Sequence, residues 1–291
     1  SRGDRVVFPD FGGPLRRGTN DFVEYVVITY GDGFEAFANT LLVVLVAIEQ
    51  VLRNAHPAVV LAAIGLIAFA ASRRPLLALL MVACTYMIGT LGLWDQAMQT
   101  IAIMVVSVMF SILIGIPIGI ASARSNRVRA TINPVLDLMQ TIPSFVYLIP
   151  AAMLFGLGKV PAILATVIYA TPPLIRLTDL GIREVDREVV EASRAFGATR
   201  WQILKGVQVP LAMPSIMQGI NQTMMMALAM VVIASMIGAR GVGETVLLGL
   251  QRGDSGQGLL GGLAIVLLAI VFDRITQAYG QRVQTHRAAG G

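Results

Sequence analysis

Apolar stretches of 16 to 29 residues follow one another from residue 57 to residue 276, separated by short turns that carry Gly, Pro and Arg and by one longer loop at 181–210. A helix crosses a hydrocarbon core about 30 Å thick with about 20 apolar residues. In lipid, every backbone N–H and C=O must find a partner within the protein, which restricts a spanning chain to helices or a closed barrel. Stretches of this length specify helices. They run approximately 57–72, 75–93, 97–123, 131–156, 160–180, 211–239 and 258–276, and 97–123 and 211–239 contain no charged residue. The expected fold is all-α, a polytopic membrane helical bundle of about seven transmembrane helices. With 56% hydrophobic and 13% charged residues and a mean hydropathy of +0.74, a soluble globule and a large soluble catalytic domain are both excluded. No internal repeat is visible, and the single cysteine, Cys84, lies inside an apolar stretch.

The net charge of +5 is a matter of topology, because the basic residues sit in loops between the stretches. Thirteen of them (Arg73, Arg74, Arg124, Arg127, Arg129, Arg183, Arg187, Arg194, Arg200, Lys205, Arg274, Arg282, Arg287) fall on one side, and four (Arg53, Lys159, Arg240, Arg252) on the other. Basic loops stay in the cytoplasm, so the first side is expected to be cytoplasmic. This distribution gives no reason to expect nucleic acid as a partner. Residues 34–52 have an uninterrupted apolar core only from Leu41 to Ile48, short for a span and suited to a helix in the membrane interface. Seven spans then put the amino terminus outside, in agreement with the tail's six acids against four arginines; an eighth span would put it inside. Ser1 to Glu35 is polar and lacks the early apolar core of a cleavable signal. The expected organisation is an extracytoplasmic tail and interfacial or scaffold helix over 1–56, a transmembrane domain over 57–282 with a cytoplasmic loop at 181–210, and a cytoplasmic tail over 283–291.

That loop reads as two short amphipathic helices. Asp186 can cap the first, in which Val189, Ala192 and Phe196 recur at helical spacing, and Gly197 can close it in the left-handed conformation. Thr199-Arg200-Trp201-Gln202 is a capping box for a second helix that carries Trp201, Leu204 and Val207 and is expected to stop at Pro210. Two helices around a glycine corner form a compact projection suited to a groove on a partner.

Glu191-Ala192-Ser193, three residues, Gly197, nine residues, then Val207-Gln208-Val209-Pro210 resembles the Glu-Ala-Ala, Gly, Ile-x-Leu-Pro signature of bacterial ABC importer permeases, with Ser193, Val207 and Val209 as departures. Residues 139–150, 221–236 and 272–278 look like the glycine betaine/proline betaine branch of those permeases, and the likeness covers about residues 90–282. The resemblance implies a type I ABC importer permease fold in the bacterial inner membrane. It implies two copies of this chain paired with two ATPase subunits, and an extracytoplasmic substrate-binding protein that delivers the solute. It also implies that the loop, through Glu191, Ala192, Ser193, Arg194, Phe196, Gly197, Ala198 and Trp201, is the coupling helix that docks into the ATPase. Glu191 either touches that partner or braces the loop internally.

The sequence contains no Gly-x-x-x-x-Gly-Lys-Ser/Thr phosphate loop, so ATP and magnesium are expected on the partner, with no cofactor or metal on this chain and no enzyme activity of its own. His56 and His286 lie outside the spans. An ion-coupled carrier would place ionisable groups at mid-membrane depth, whereas Asp137 and Asp179 lie near predicted cytoplasmic ends. Polar residues within spans cluster as Gln140, Thr141, Ser144 and Tyr147, beside Phe145, and as Asn221, Gln222 and Thr223. They either line a path or hydrogen-bond between helices. Pro134, Pro143 and Pro150 are expected to interrupt the first of those helices. Gly115 and Gly119 have the spacing that lets helices approach closely, and Gly238–Gly243 reads as the flexible start of an outer loop. The functional expectation is an ATP-driven permease subunit for glycine betaine. Choline, trimethylamine oxide or another small amine is the alternative solute, and an ion-coupled carrier the alternative class.

Overall fold

The computed structural model describes residues 9 and 11–288, with side chains as far as Thr285; residues 1–8, 10 and 289–291 and the side chains of 286–288, His286 and Arg287 among them, lie outside what is described. The described residues form helices joined by short turns and contain no strand. The helices are α1 (Gly12–Asn54), α2 (Pro57–Ser72), α3 (Pro75–Thr90), α4 (Trp94–Arg124), α5 (Asn126–Thr141) and α6 (Leu148–Phe155). They continue as α7 (Lys159–Arg183), α8 (Arg187–Ala195), α9 (Arg200–Ile203), α10 (Val209–Ala234), α11 (Val242–Arg252) and α12 (Ser255–Ala288).

The core is α4, α7 and α10. Small residues set how closely they pack. A Cβ at Gly115 would lie 3.2 Å from the side chains of Leu174 and Thr171, and one at Gly119 only 2.6 Å from Thr178 Cβ and 2.9 Å from the Ile175 carbonyl oxygen. The two glycines, one turn apart, therefore line the α4–α7 seam, where backbones gain dispersion contact in place of a hydrophobic drive that lipid cannot supply. Gly219 of α10 fits against Leu174 in the same way, and Gly181 against Ser215 and Ala212. Fully buried Met98, Ile103, Met104, Ile163 and Met230 fill the space between these helices.

Around this core, α2 and α3 form an antiparallel hairpin against α12, and α11 folds back on α12. The span count differs from the seven expected. Five single helices (α1, α4, α7, α10 with its two flanking segments, and α12) are long and apolar enough to cross a membrane, and a sixth span exists if α5 and α6 are taken together across a 109° bend. At 16 residues each, α2 and α3 extend about 24 Å, short of the hydrocarbon thickness, unless flanking residues complete the crossing. The short interfacial segment expected at 34–52 is instead part of the 43-residue α1, and residues 12–35, expected as a polar tail, are its first half. Its stretch around Leu41, Leu45 and Glu49 is buried against the bundle.

Prolines act unequally. Only Pro143 breaks a helix: the chain leaves α5 at Ile142 in an extended conformation and makes one tight turn over Ser144–Tyr147 before α6. Pro134 stays inside α5 and Pro150 sits in the first turn of α6, where its missing N–H leaves no bond unmade. Residues 238–243 are not an open outer loop. Val242 is fully buried, its N–H donates to Thr100 Oγ1 at 3.0 Å, and a Cβ at Gly243 would strike the Val232 carbonyl oxygen at 2.3 Å. His56 caps α2 by accepting from the Ala58 N–H.

The two ends of the bundle are electrostatically distinct. At one, Glu49 of α1 is 5% exposed and pairs with Arg53 and with Lys159 at the start of α7, while Arg53 grips Asp95 at the start of α4 through Nε and Nη2. At the other, the α2–α3 turn with Arg73 and Arg74 lies beside Arg274 and Arg282 of α12, and Arg124, Arg129 and Arg183 gather where α4, α5 and α7 meet the 184–208 loop. Of the two groups of basic residues, Arg53 and Lys159 thus lie at one end and Arg73, Arg74, Arg124, Arg129, Arg183, Arg274 and Arg282 at the other, while the side chain of Arg287 lies outside what is described. Glu49→Ala is expected to lower stability by about 2 kcal/mol, since it strips a partly buried lysine of its partner. Asp95→Ala, which removes a partner that is mostly in water, should cost under about 1 kcal/mol. Thermal unfolding in detergent checks the order, and equal losses would refute it.

Candidate functional site

The 184–208 loop begins where α7 ends. The Asp186 side chain accepts from the Glu188 N–H and so starts α8, which runs to Ala195. Gly197 follows at φ +81°, a left-handed conformation that costs a Cβ-bearing residue about 1 kcal/mol or more. The N–H groups of Phe196, Gly197 and Ala198 return to the carbonyls of Ala192, Arg194 and Ser193 and close the helix end. Thr199 and Gln202 then form the reciprocal capping box of α9. The second helix does not stop at Pro210 as expected. A wider π turn over Leu204–Gln208 carries it into α10, so that one helical run extends from Arg200 to Ala239, kinked only near its end at Ile237 and Gly238. Pro210 falls in the first turn of α10, where it is tolerated.

The loop buries one side and presents the other. Ile203 and Leu204 are each 3% exposed and pack under the loop, whereas Phe196 is 93% and Trp201 64% exposed. Large aromatic side chains held out in this way by a glycine corner and a capping box form an unpartnered apolar knob. Glu191, Ala192 and Arg194 are also exposed, while Ser193 and Ala198 are half-buried. The Ser193 hydroxyl donates to the Val189 carbonyl. Glu191 has no ion-pair partner among the described residues and lines a polar cleft with Arg124, Arg187, Arg194 and Arg200.

Beneath the loop, Asp179 is 4% exposed, accepts from Arg183 Nε at 2.7 Å and Ser122 Oγ at 3.2 Å, and forms an ion pair with Arg129, whose Nε lies 3.1 Å away. Arg183 also donates to the Ser122 carbonyl and to Asn126 Oδ1. One buried carboxylate therefore joins the ends of α4, α5 and α7 at the base of the loop.

The two polar clusters within the spans are separate and differently placed. In α10, Thr223 is fully buried and donates to the Ala170 carbonyl of α7, and Asn221 donates to Asp273 of α12; both link helices, while Gln222 is exposed. Gln140 and Thr141 are exposed on α5, Phe145 is exposed, and Ser144 is half-buried in the turn that follows. Tyr147 spans the break, donating to the Met139 carbonyl and packing 6.1 Å from the Tyr169 ring. Sequence reasoning missed Arg176, a basic residue within α7 that pairs with Asp137 of α5 and whose buried Nε has no acceptor. Its charge in an apolar stretch was the available signal. Among the described residues, no group of three or more His, Cys, Asp or Glu side chains could hold a metal ion.

The arrangement matches known proteins in both fold and sequence. The MetNI methionine ABC transporter, solved in inward-facing conformations, superposes with a TM-score of 0.55 at 25% identity, over 64% of this chain and 92% of that one. The glycine betaine/proline betaine transport system permease protein ProW of Escherichia coli (strain K12) is 55% identical over 194 residues, covering 67% of this chain and 55% of that protein. The chain thus spans about half the length of that relative. The glycine betaine transport system permease protein OpuAB of Bacillus subtilis (strain 168) is 43% identical over 91% of this chain and 93% of its own length. The trimethylamine N-oxide transport system permease protein TmoV of Ruegeria pomeroyi is 40% identical over 69% of this chain. Residues 115–285, which run from the last turns of α4 through α7, the loop, α10 and most of α12, match the family described as binding-protein-dependent transport system inner membrane component. This multi-pass inner membrane protein belongs to that family.

Proposed function

We propose that the chain is the transmembrane subunit of an ATP-driven importer of glycine betaine. The observation that carries this reading is the loop. Two apolar side chains, Phe196 and Trp201, are held exposed on a rigid, doubly capped corner that is continuous with a core helix. The loop end faces the cytoplasm, as the basic residues gathered there require. A separate ATPase subunit receives the loop in a groove, and its closure on ATP is passed through α8 and α9 to α7 and α10. ATP and magnesium belong to that partner. An extracytoplasmic binding protein delivers the solute at the other end. The relatives named for glycine betaine support the solute, and the likeness to TmoV favours trimethylamine N-oxide as the second reading.

A second copy of this chain covers the face of α5 and α6. Val135, Leu138, Phe145 and Ile149 are all more than half exposed there, beside a wholly apolar cleft that reaches Leu157 and Ile237. Thr141, one turn beyond Leu138, borders this face, so pairing would bring it between two bundles as part of the path, whereas Gln140 is exposed on the other side of α5. Thr223 and Asn221 act as fixed links within each bundle.

Uptake by proteoliposomes holding the chain with its ATPase and binding protein tests the reading, comparing labelled glycine betaine, choline and trimethylamine N-oxide with and without internal ATP. ATP-dependent accumulation of glycine betaine is expected; accumulation driven by an ion gradient alone would refute the class. Phe196→Ala with Trp201→Ala removes only exposed surface, so the chain should insert and fold normally. Uptake should nevertheless fall at least about tenfold, as expected for the loss of a docking anchor. Unchanged uptake in the double variant would remove the loop from its role.

A further inference from the structure

At the loop end, on the periphery of the bundle, the α2–α3 turn and the last turns of α12 enclose an open cleft of about 630 Å³ lined by Arg73, Arg74, Arg274 and Arg282. None of the ion pairs among the described residues involves any of these four arginines. The acid nearest in sequence, Asp273, is occupied by Asn221 and Gln277. Arg282 donates one N–H to the Ala70 carbonyl, which fixes its position, and no carboxylate lines the cleft. Four cations held together without a counter-charge repel one another, and an anion between them relieves that repulsion.

The opposite wall is apolar. Leu76 and Leu80, in the first turns of α3, are 68% and 50% exposed, and Leu77 lies beside them. The layer at the level of the turn is Arg73, Arg74 and Arg282, which reaches Ala70; Leu76, Leu77 and Leu80 follow along α3 toward the hydrocarbon, and Arg274, eight residues and about 12 Å before Arg282 on α12, stands beside the leucines. A free anion needs only the first layer. A phospholipid needs both, with the phosphate among the guanidinium groups and the acyl chains along the leucines.

The backbone supplies a second, independent observation. Arg73 closes α2 at φ +56°, ψ +17°, the left-handed conformation that glycine takes at helix ends without steric cost. It is one of only two non-glycine residues at positive φ among the described residues. An arginine in a place that favours glycine indicates a use for its side chain that outweighs the strain.

We propose that this cleft is a binding site for an anionic phospholipid of the inner leaflet. The site is separate from the solute path and from the loop, and it depends on the orientation of the bundle but not on the solute.

The test uses the full chain, purified in nonionic detergent, stripped of lipid and titrated with phosphatidylglycerol or phosphatidylcholine, with bound lipid counted by native mass spectrometry. Phosphatidylglycerol should be retained in preference to phosphatidylcholine. Arg73→Gly and Arg274→Gln should each weaken its binding by about fivefold, the worth of one arginine near a charged lipid surface. Arg73→Gly should leave the unfolding midpoint unchanged or raise it, because glycine relieves the backbone strain, so its weaker binding cannot be ascribed to misfolding. Equal retention of the two lipids, or parental affinity in both variants, would overturn the proposal. Displacement of phosphatidylglycerol by an equal concentration of inorganic phosphate would also overturn it, by showing that the leucine wall contributes nothing.

Discussion

Gly119→Leu is expected to prevent assembly of the bundle, and Gly119→Ala to cost about 2 kcal/mol or more. The contacts at this position are unusually close: the added Cβ would meet Thr178 Cβ at 2.6 Å and the Ile175 carbonyl oxygen at 2.9 Å. Neither is the free end of a flexible side chain, so α4 and α7 must part along the seam around which the core is built. Dispersion contact falls steeply with separation, and a gap of even 0.5–1 Å forfeits about a quarter to a half of each contact. Gly262→Ala is the control, because nothing lies within 4 Å of a Cβ there. Gel filtration and thermal unfolding in detergent should show Gly262→Ala indistinguishable from the parent, Gly119→Ala less stable, and Gly119→Leu aggregated. Parental stability of Gly119→Ala would mean that the seam is looser than described.

Asp179→Ala is the second large effect. The change leaves Arg183 and Arg129 facing a cavity lined by Ser122 with no carboxylate, and removing one partner of a buried charge pair costs about 3–5 kcal/mol. Both arginines keep some access to water, so the loss should lie near about 3 kcal/mol, against about 1 kcal/mol for Ser122→Ala, which deletes one neutral donor. Because Asp179 holds α4 and α5 to α7 at the base of the loop, uptake per ATP hydrolysed should fall further in Asp179→Ala than in Ser122→Ala. An unfolding midpoint equal to the parent's would show that water replaces the carboxylate without penalty.

The loop was legible in the sequence because its signals are local. Asp186, Gly197 and the Thr199–Gln202 box each act within a few residues, and each makes the contact that its chemistry implies. The core helices were legible from their length without charge. The continuation of α9 into α10 was not, because a proline at 210 reads as a stop, yet it is harmless once a π turn places it in a helix's first turn. The extent of α1 was hidden for a different reason. Asp21, Glu24, Asp32 and Glu35 interrupt the run of apolar residues without interrupting the helix, since each can point into solvent while the apolar positions between them keep helical spacing. The α5–α6 break was visible in outline, but three prolines gave no local sign that only Pro143 would bend the chain. The Asp179 cluster was the least legible, because residues 57 positions apart meet only through the α4–α7 packing.

The loop's two ends differ in stiffness. It leaves α7 through three non-helical residues, Glu184–Asp186, but enters α10 with no break at all. It is therefore a free joint on one side and an extension of the shaft on the other. Trp201 and Asn221 are twenty residues apart on a single rod, an arm of about 30 Å. By simple geometry on that arm, each degree by which a partner tilts the exposed end moves the distant one by about 0.5 Å. A rotation of a few degrees at the membrane surface thus becomes a displacement as large as a hydrogen bond's tolerance at the Asn221–Asp273 and Thr223–Ala170 contacts, which places the points of mechanical failure in the links that hold α10 to α12 and α7.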